Sequence, residues 1–99
     1  MNYRLEITKA AQQDLEESYD WYETKLAGLG DDFISAVEDA ITTIIQHPES
    51  YAIFVDDYRK VSTTRFPFKV IYSLKGELII IWSVYHHSRD IAKWKHGDI

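Results

Sequence analysis

Cysteine is absent from this chain of 99 residues, which removes disulfide scaffolds and thiolate metal sites from consideration. Proline occurs twice and glycine four times, so no flexible linker or low-complexity tract divides the chain. Its longest apolar run, around LIIIW at 78–82, falls far short of the roughly 20 residues that span a bilayer. The opening MNYRLEITKAAQQ lacks the apolar segment of a secretory signal. Together these absences lead one to expect a soluble protein of a reducing cytoplasm, with no membrane partner.

Apolar residues make up 45% of the chain and aromatics 14%, enough to bury a real core. At this length a single domain over residues 1–99 is expected. Net charge is −5, but it is unevenly spread: residues 1–57 balance to −10 and residues 58–99 to +5. Such asymmetry suits an anionic partner for the basic half, or simply acidic helices followed by basic strands.

Periodicity divides the chain into two parts. NYRLEI alternates Tyr3, Leu5 and Ile7 with polar neighbours and reads as a short strand. Thr8 is the candidate N-cap of a helix whose stripe holds Ala11, Leu15, Tyr19, Tyr22 and Leu26. AGLGDD breaks that helix, and Asp31 or Asp32 is the expected cap of the next. There Phe33, Val37, Ala40, Ile41 and Ile44 recur at helical spacing, and Pro48 ends it. Trp21, Tyr19 and Tyr22 read as packing residues rather than a base-stacking site. After a loop over 48–57 the period becomes two, with strands in YRKVSTTR, FKVIYSL and ELIIIWSVYH. The expected fold is α+β, in the order β-α-α-β-β-β: an N-terminal strand, a helical hairpin and a three-stranded antiparallel meander, with the helices on one sheet face.

A hairpin centred on Lys75-Gly76 pairs Ile71 with Ile80, Lys69 with Trp82 and Arg65 with His86. In that register Phe68, Val70, Tyr72, Leu74, Ile79 and Ile81 face the helices. Arg65, Lys69, Ile71, Trp82, Val84 and His86 share the opposite face. Three groups able to hold or protonate phosphate oxygens then converge without a metal. A slip of one residue, or a bulge, would exchange the faces. Trp82, with Ile71 and Ile80, would form an exposed apolar patch suited to a partner or a homodimer. Adjacent His86 and His87 point apart, and with Asp90 and His96 they make no spaced ligand motif, so neither metal nor other cofactor is expected.

The block formed by Arg65 to Tyr72, Val84, His86, Arg89 and Trp94 resembles the RelE/ParE superfamily of toxins from bacterial toxin–antitoxin and plasmid-stabilisation modules. The resemblance runs in order over nearly the whole chain, from ITKAAQQDLEESYDWYETKLAGLGDDF through HPE to RFPFKVIYSLKGELIIIWSVYHHSRDIAKW. It implies a growth-inhibiting toxin neutralised by a cognate antitoxin protein. RelE-like members cut mRNA on the ribosome, whereas ParE-like members poison DNA gyrase.

For RNA cleavage, the resemblance and the register assign His86 as general acid, with Arg65 and Lys69 holding the charge on phosphate. Arg89 and His87 would contact substrate, and Tyr85 or Trp94 would offer a base a stacking surface. Lys69 stands where the family usually has arginine, which loses the bidentate fork. No general base is evident, since nothing brings Asp56 or Asp57 within reach. For gyrase poisoning, the acidic net charge suits the chain better than docking on ribosomal RNA would. RNA cleavage is the first expectation, on the convergence of Arg65, Lys69 and His86; gyrase poisoning is the alternative, and a member that is no longer toxic and only binds its antitoxin is the remaining reading.

Overall fold

The computed structural model describes residues 2–88. Its elements run β1 (Arg4–Ile7), α1 (Lys9–Lys25), α2 (Leu29–Gln46), β2 (Ile53–Val55), β3 (Tyr58–Ser62), β4 (Phe68–Lys75) and β5 (Leu78–His86). They build one mixed sheet in the order β1-β5-β4-β3-β2, with β1 parallel to β5 and the remaining pairs antiparallel. The α+β class and helical hairpin are as expected. The expected three-stranded meander is in fact four-stranded, because the segment read as a loop contains β2. That strand has three residues and an irregular pairing with β3, too short for alternation to register.

Thr8 caps α1 as its sequence position suggests. Its hydroxyl accepts the Ala11 N–H at 3.1 Å and donates to the Trp82 carbonyl at 3.1 Å. The start of α2 departs from expectation. Gly28, at φ +90°, is the cap, and Asp31 and Asp32 lie in the first turn instead. Glycine takes this conformation without the steric cost of a Cβ. The Glu23 carboxylate completes the junction, accepting the N–H groups of Gly28 at 3.3 Å and Gly30 at 2.7 Å. A Cβ at Gly30 would meet Tyr19 and Glu23 atoms at 2.7–2.8 Å, so the helices approach closely there.

Phe33, Val37 and Ile44 of α2 are buried against Val70, Tyr72, Ile79 and Ile81 of the sheet. Full burial of each such side chain contributes about 1.5–3 kcal/mol. Phe33, Tyr22, Phe66 and Phe68 form an aromatic cluster, with centroids 4.8–5.6 Å apart for Phe33–Phe68, Tyr22–Phe66 and Phe33–Phe66. Leu26, placed on the buried stripe by its spacing, is instead exposed at the end of α1.

The β4–β5 register corrects the sequence reading in two ways. The turn centres on Gly76-Glu77, so Lys75 pairs with Leu78, Leu74 with Ile79 and Tyr72 with Ile81. Gly76 has φ +58°, at the position where a type II′ turn wants glycine. Beyond Tyr72 the partners jump: Ile71 opposes Ser83, and Trp82 is the extra residue of a bulge. Val70 then pairs with Val84, Lys69 with Tyr85 and Phe68 with His86.

Candidate functional site

The bulge decides where each expected site residue goes. Without it, the alternation that buries Ile79 and Ile81 would send Val84 and His86 to the face away from the helices. With it, Val84 is buried in the helix-facing core and His86 follows on the same side, edge-on to Phe68 with centroids 5.3 Å apart. The expected convergence of Arg65, Lys69 and His86 is therefore not formed. Lys69, paired with Tyr85, lies on the opposite face, where its ammonium donates to Ser62 Oγ at 2.8 Å.

Arg65 is not in a strand at all. It lies in the connection before β4 at φ +71°, its guanidinium carbon 5.6 Å from the Phe66 ring centroid and Nη2 3.7 Å from Asp32 Oδ2. Both side chains of that pair are exposed, so the contact adds little stability. Arg65 and His86 thus touch successive aromatic residues of one cluster rather than each other. The expected cross-strand pair is replaced by Phe68 and His86 because the true register is shifted.

The bulge has its own fastening. Pairing of β1 with β5 reaches Ile81 at Ile7. Beyond that point α1 takes over: Asp14 Oδ2 accepts the Val84 N–H at 3.0 Å and the Ser83 hydroxyl at 3.0 Å. Asp14 lies outside the stripe of Ala11, Leu15, Tyr19 and Tyr22, and nothing in the sequence singles it out. Its spacing from Thr8 offered no signal, since its partners lie about 70 residues away.

On the face away from the helices, Tyr58, Lys60 and Ser62 of β3 adjoin Ser73, Ile71 and Lys69 of β4. Trp82 donates its indole N–H to Ser73 Oγ at 2.8 Å and meets Tyr58 edge-on at 5.8 Å. Ile80 and Trp82 are half-buried, while Ile71 and Tyr85 are buried. Ile71 therefore adds nothing to an exposed partner patch, and the wide apolar surface expected around Trp82 shrinks to partial exposure of Ile80 and Trp82. Burial pushes the Tyr85 phenol pKa above its ordinary value. Asp56 and Asp57 lie in the β2–β3 turn beside Tyr58, Ser73, Lys75 and Trp82, with Asp57 4.0 Å from the Lys75 ammonium.

His86 lines a cavity of about 360 Å³ with Glu17, Ser18, Trp21, Tyr22, Phe68 and Ser88. Ser88 donates its N–H to His86 Nδ1 at 3.1 Å, and its hydroxyl oxygen lies 2.8 Å from the same nitrogen. With Nδ1 accepting, the neutral ring carries its proton on Nε2. Trp21, expected to pack between elements, is instead 56% exposed, whereas Tyr22 enters the core cluster as expected. His87 is exposed and donates its backbone N–H to the Pro67 carbonyl at 2.8 Å. Arg89 and Trp94, like Asp90 and His96, lie outside the described residues. Among the described residues no three His, Asp or Glu side chains cluster as metal ligands, and no helix is long and apolar enough to cross a membrane.

The family model described as the ParE toxin of the type II toxin–antitoxin system parDE matches residues 5–91, and the chain belongs to that family. A search of curated proteins gives no match. Among solved structures, the chain is similar to the chromosomal ParDE toxin–antitoxin system from P. aeruginosa, with TM-score 0.64 and 22% identity over 85% of this chain and 95% of the other. It is also similar to the isolated E. coli RelE toxin, with TM-score 0.65 and 13% identity over 94% of this chain and 93% of that one. An E. coli RelE double mutant bound to a RelBc antitoxin peptide gives TM-score 0.66 and 12% identity over 100% and 97%. At such identities these likenesses show a shared fold.

Proposed function

We propose that this ParE-family toxin arrests growth by binding a target, DNA gyrase, rather than by cutting RNA, and that a cognate antitoxin neutralises it. The separation of the expected catalytic groups carries this reading. Metal-free cleavage of RNA needs an acid and charge stabilisers within hydrogen-bond reach of one phosphate. Here Lys69 and His86 lie on opposite sheet faces, and Arg65 sits beside Asp32. The net charge of −5 also opposes docking on ribosomal RNA. The antitoxin reading draws on family membership and on the antitoxin complexes among the similar structures.

Ribosome-dependent RNA cleavage is the second reading, favoured by Lys60, Lys69 and Tyr85 sharing the face away from the helices. One experiment separates the two: induction in cells without antitoxin, with RNA and DNA integrity followed in parallel. Gyrase-dependent double-strand breaks beside intact messages are expected. Messages cut only during translation, with undamaged DNA, would overturn the proposal. Unimpaired growth would instead mark a member that only binds its antitoxin.

A further inference from the structure

The geometry points to a cation-anchoring pocket, walled by Trp21, Tyr22, Phe68 and His86 with Glu17 at its side, that takes an arginine side chain of the antitoxin. This rests on the antitoxin reading above, and it names one contact by which the partner is recognised. Four aromatic rings line one cavity of about 360 Å³, ample for a guanidinium and part of its stem. Rings present negative faces to cations, tryptophan most strongly, and a planar guanidinium also stacks on them.

Three observations favour a cation over other guests. Trp21 already attracts one, since the Lys25 ammonium lies 4.8 Å from its ring centroid. Glu17 adds a carboxylate to the cavity wall. Ser88 donates its N–H to His86 Nδ1, so that nitrogen offers no donor to an anionic guest. A phosphate would meet the Glu17 carboxylate, so a nucleotide fits less well than a basic peptide. Finally, Trp21 remains exposed despite its contacts with Tyr22 and Lys25, and a large exposed aromatic beside a cavity suits a partner contact.

The test uses the full chain with a labelled Trp21 indole N–H followed by NMR. The probe is a capped Gly-Arg-Gly peptide, compared with its uncharged citrulline counterpart and with AMP. Arginine should shift the Trp21 and His86 resonances saturably and leave the Trp82 indole unmoved. Trp21→Leu, at an exposed position, should weaken binding about 3- to 30-fold while leaving the circular dichroism spectrum intact. Glu17→Gln should weaken it less. An equal response to citrulline, a response to AMP instead, or none at all would overturn the pocket. So would a Trp21 shift that follows protein concentration without any peptide, which would seat a second copy there. Neutralisation by the antitoxin is measured separately on the same variants. An antitoxin that fails on wild-type toxin refutes the antitoxin reading, whereas one that binds Trp21→Leu as tightly as wild type refutes only the anchor.

Discussion

From Leu78 to Ile81, β5 is held on both edges, by β1 and by β4; from Ser83 to His86 it keeps β4 and borrows Asp14 from α1. In the first half, alternation works as sequence reading assumes, with Ile79 and Ile81 inward. In the second half, one extra residue reverses the assignment, so Val84 is core and His86 joins the aromatic cavity. The switch coincides with the end of β1 pairing, where a free strand edge needs a new acceptor and tolerates a bulge. The faces of the terminal residues, and the chemistry they can do, depend on that event.

The strongest way to break the comparison is through opposite faces of the first half. Ile81→Ala should cost about 2–5 kcal/mol in chemical denaturation, as a buried truncation does. Ile80→Ala, half-buried on the other face, should cost clearly less. Equal losses would mean that the two faces are not distinguished as described.

Asp14→Ala tests the second half. Leaving the Val84 N–H and Ser83 hydroxyl without their charged acceptor should cost about 1.5–3 kcal/mol. Hydrogen exchange at Val84 should quicken while Ile81, bonded on the β1 side, changes less. Unchanged protection at Val84 would show that the carboxylate does not fasten the bulge. Asp14→Asn, which keeps an acceptor oxygen, should lose less.

Tyr72, opposite Ile81, gives a probe from the intact half. It donates its hydroxyl to the Pro48 carbonyl at 2.6 Å, and Tyr72→Phe should cost about 0.5–1.5 kcal/mol. Burial is the main cause pushing its pKa up to about 12, against 10 when exposed. The folded state thus binds the phenolic proton more tightly. Its contribution is fully present below pH 10 and is lost as pH rises through about 12. Ultraviolet titration should find, besides the raised Tyr85, a phenol ionising near pH 12; loss of that step in Tyr72→Phe assigns it, and its persistence would refute the assignment.

The smallest effect carries a sign. Arg65 has φ +71°, where glycine is relaxed and arginine is not. Arg65→Gly should be neutral or stabilise by up to about 1 kcal/mol. A regular strand residue would lose stability on the same change, so calorimetry distinguishes the two placements of Arg65.

Much of the fold was legible because it rests on local chemistry. Thr8 marks a helix start, Pro48 follows a helix end, and Phe33, Val37, Val70 and Ile81 repeat with periods that bury one stripe or face. β2 escaped notice because three residues cannot display a period. The turn register was misplaced because Gly76 suits either central position of a two-residue turn. The candidate site was less legible. His86 ends β5 as its position in the apolar run suggests, but its neighbours are Phe68, Trp21 and Ser88 rather than Arg65 and Lys69.

By itself the sequence determined the class of architecture, the order of the helices and main strands, and most of the buried face, because side-chain pattern and backbone propensity are local. Only the tertiary structure decided which groups meet. An added residue at Trp82 and a carboxylate arriving from α1 set the outer half of β5, and neither leaves a trace in the strand's own composition. Pairing across some 70 positions is a competition among whole registers, settled by total burial and hydrogen bonding rather than by the residues that end up in the site.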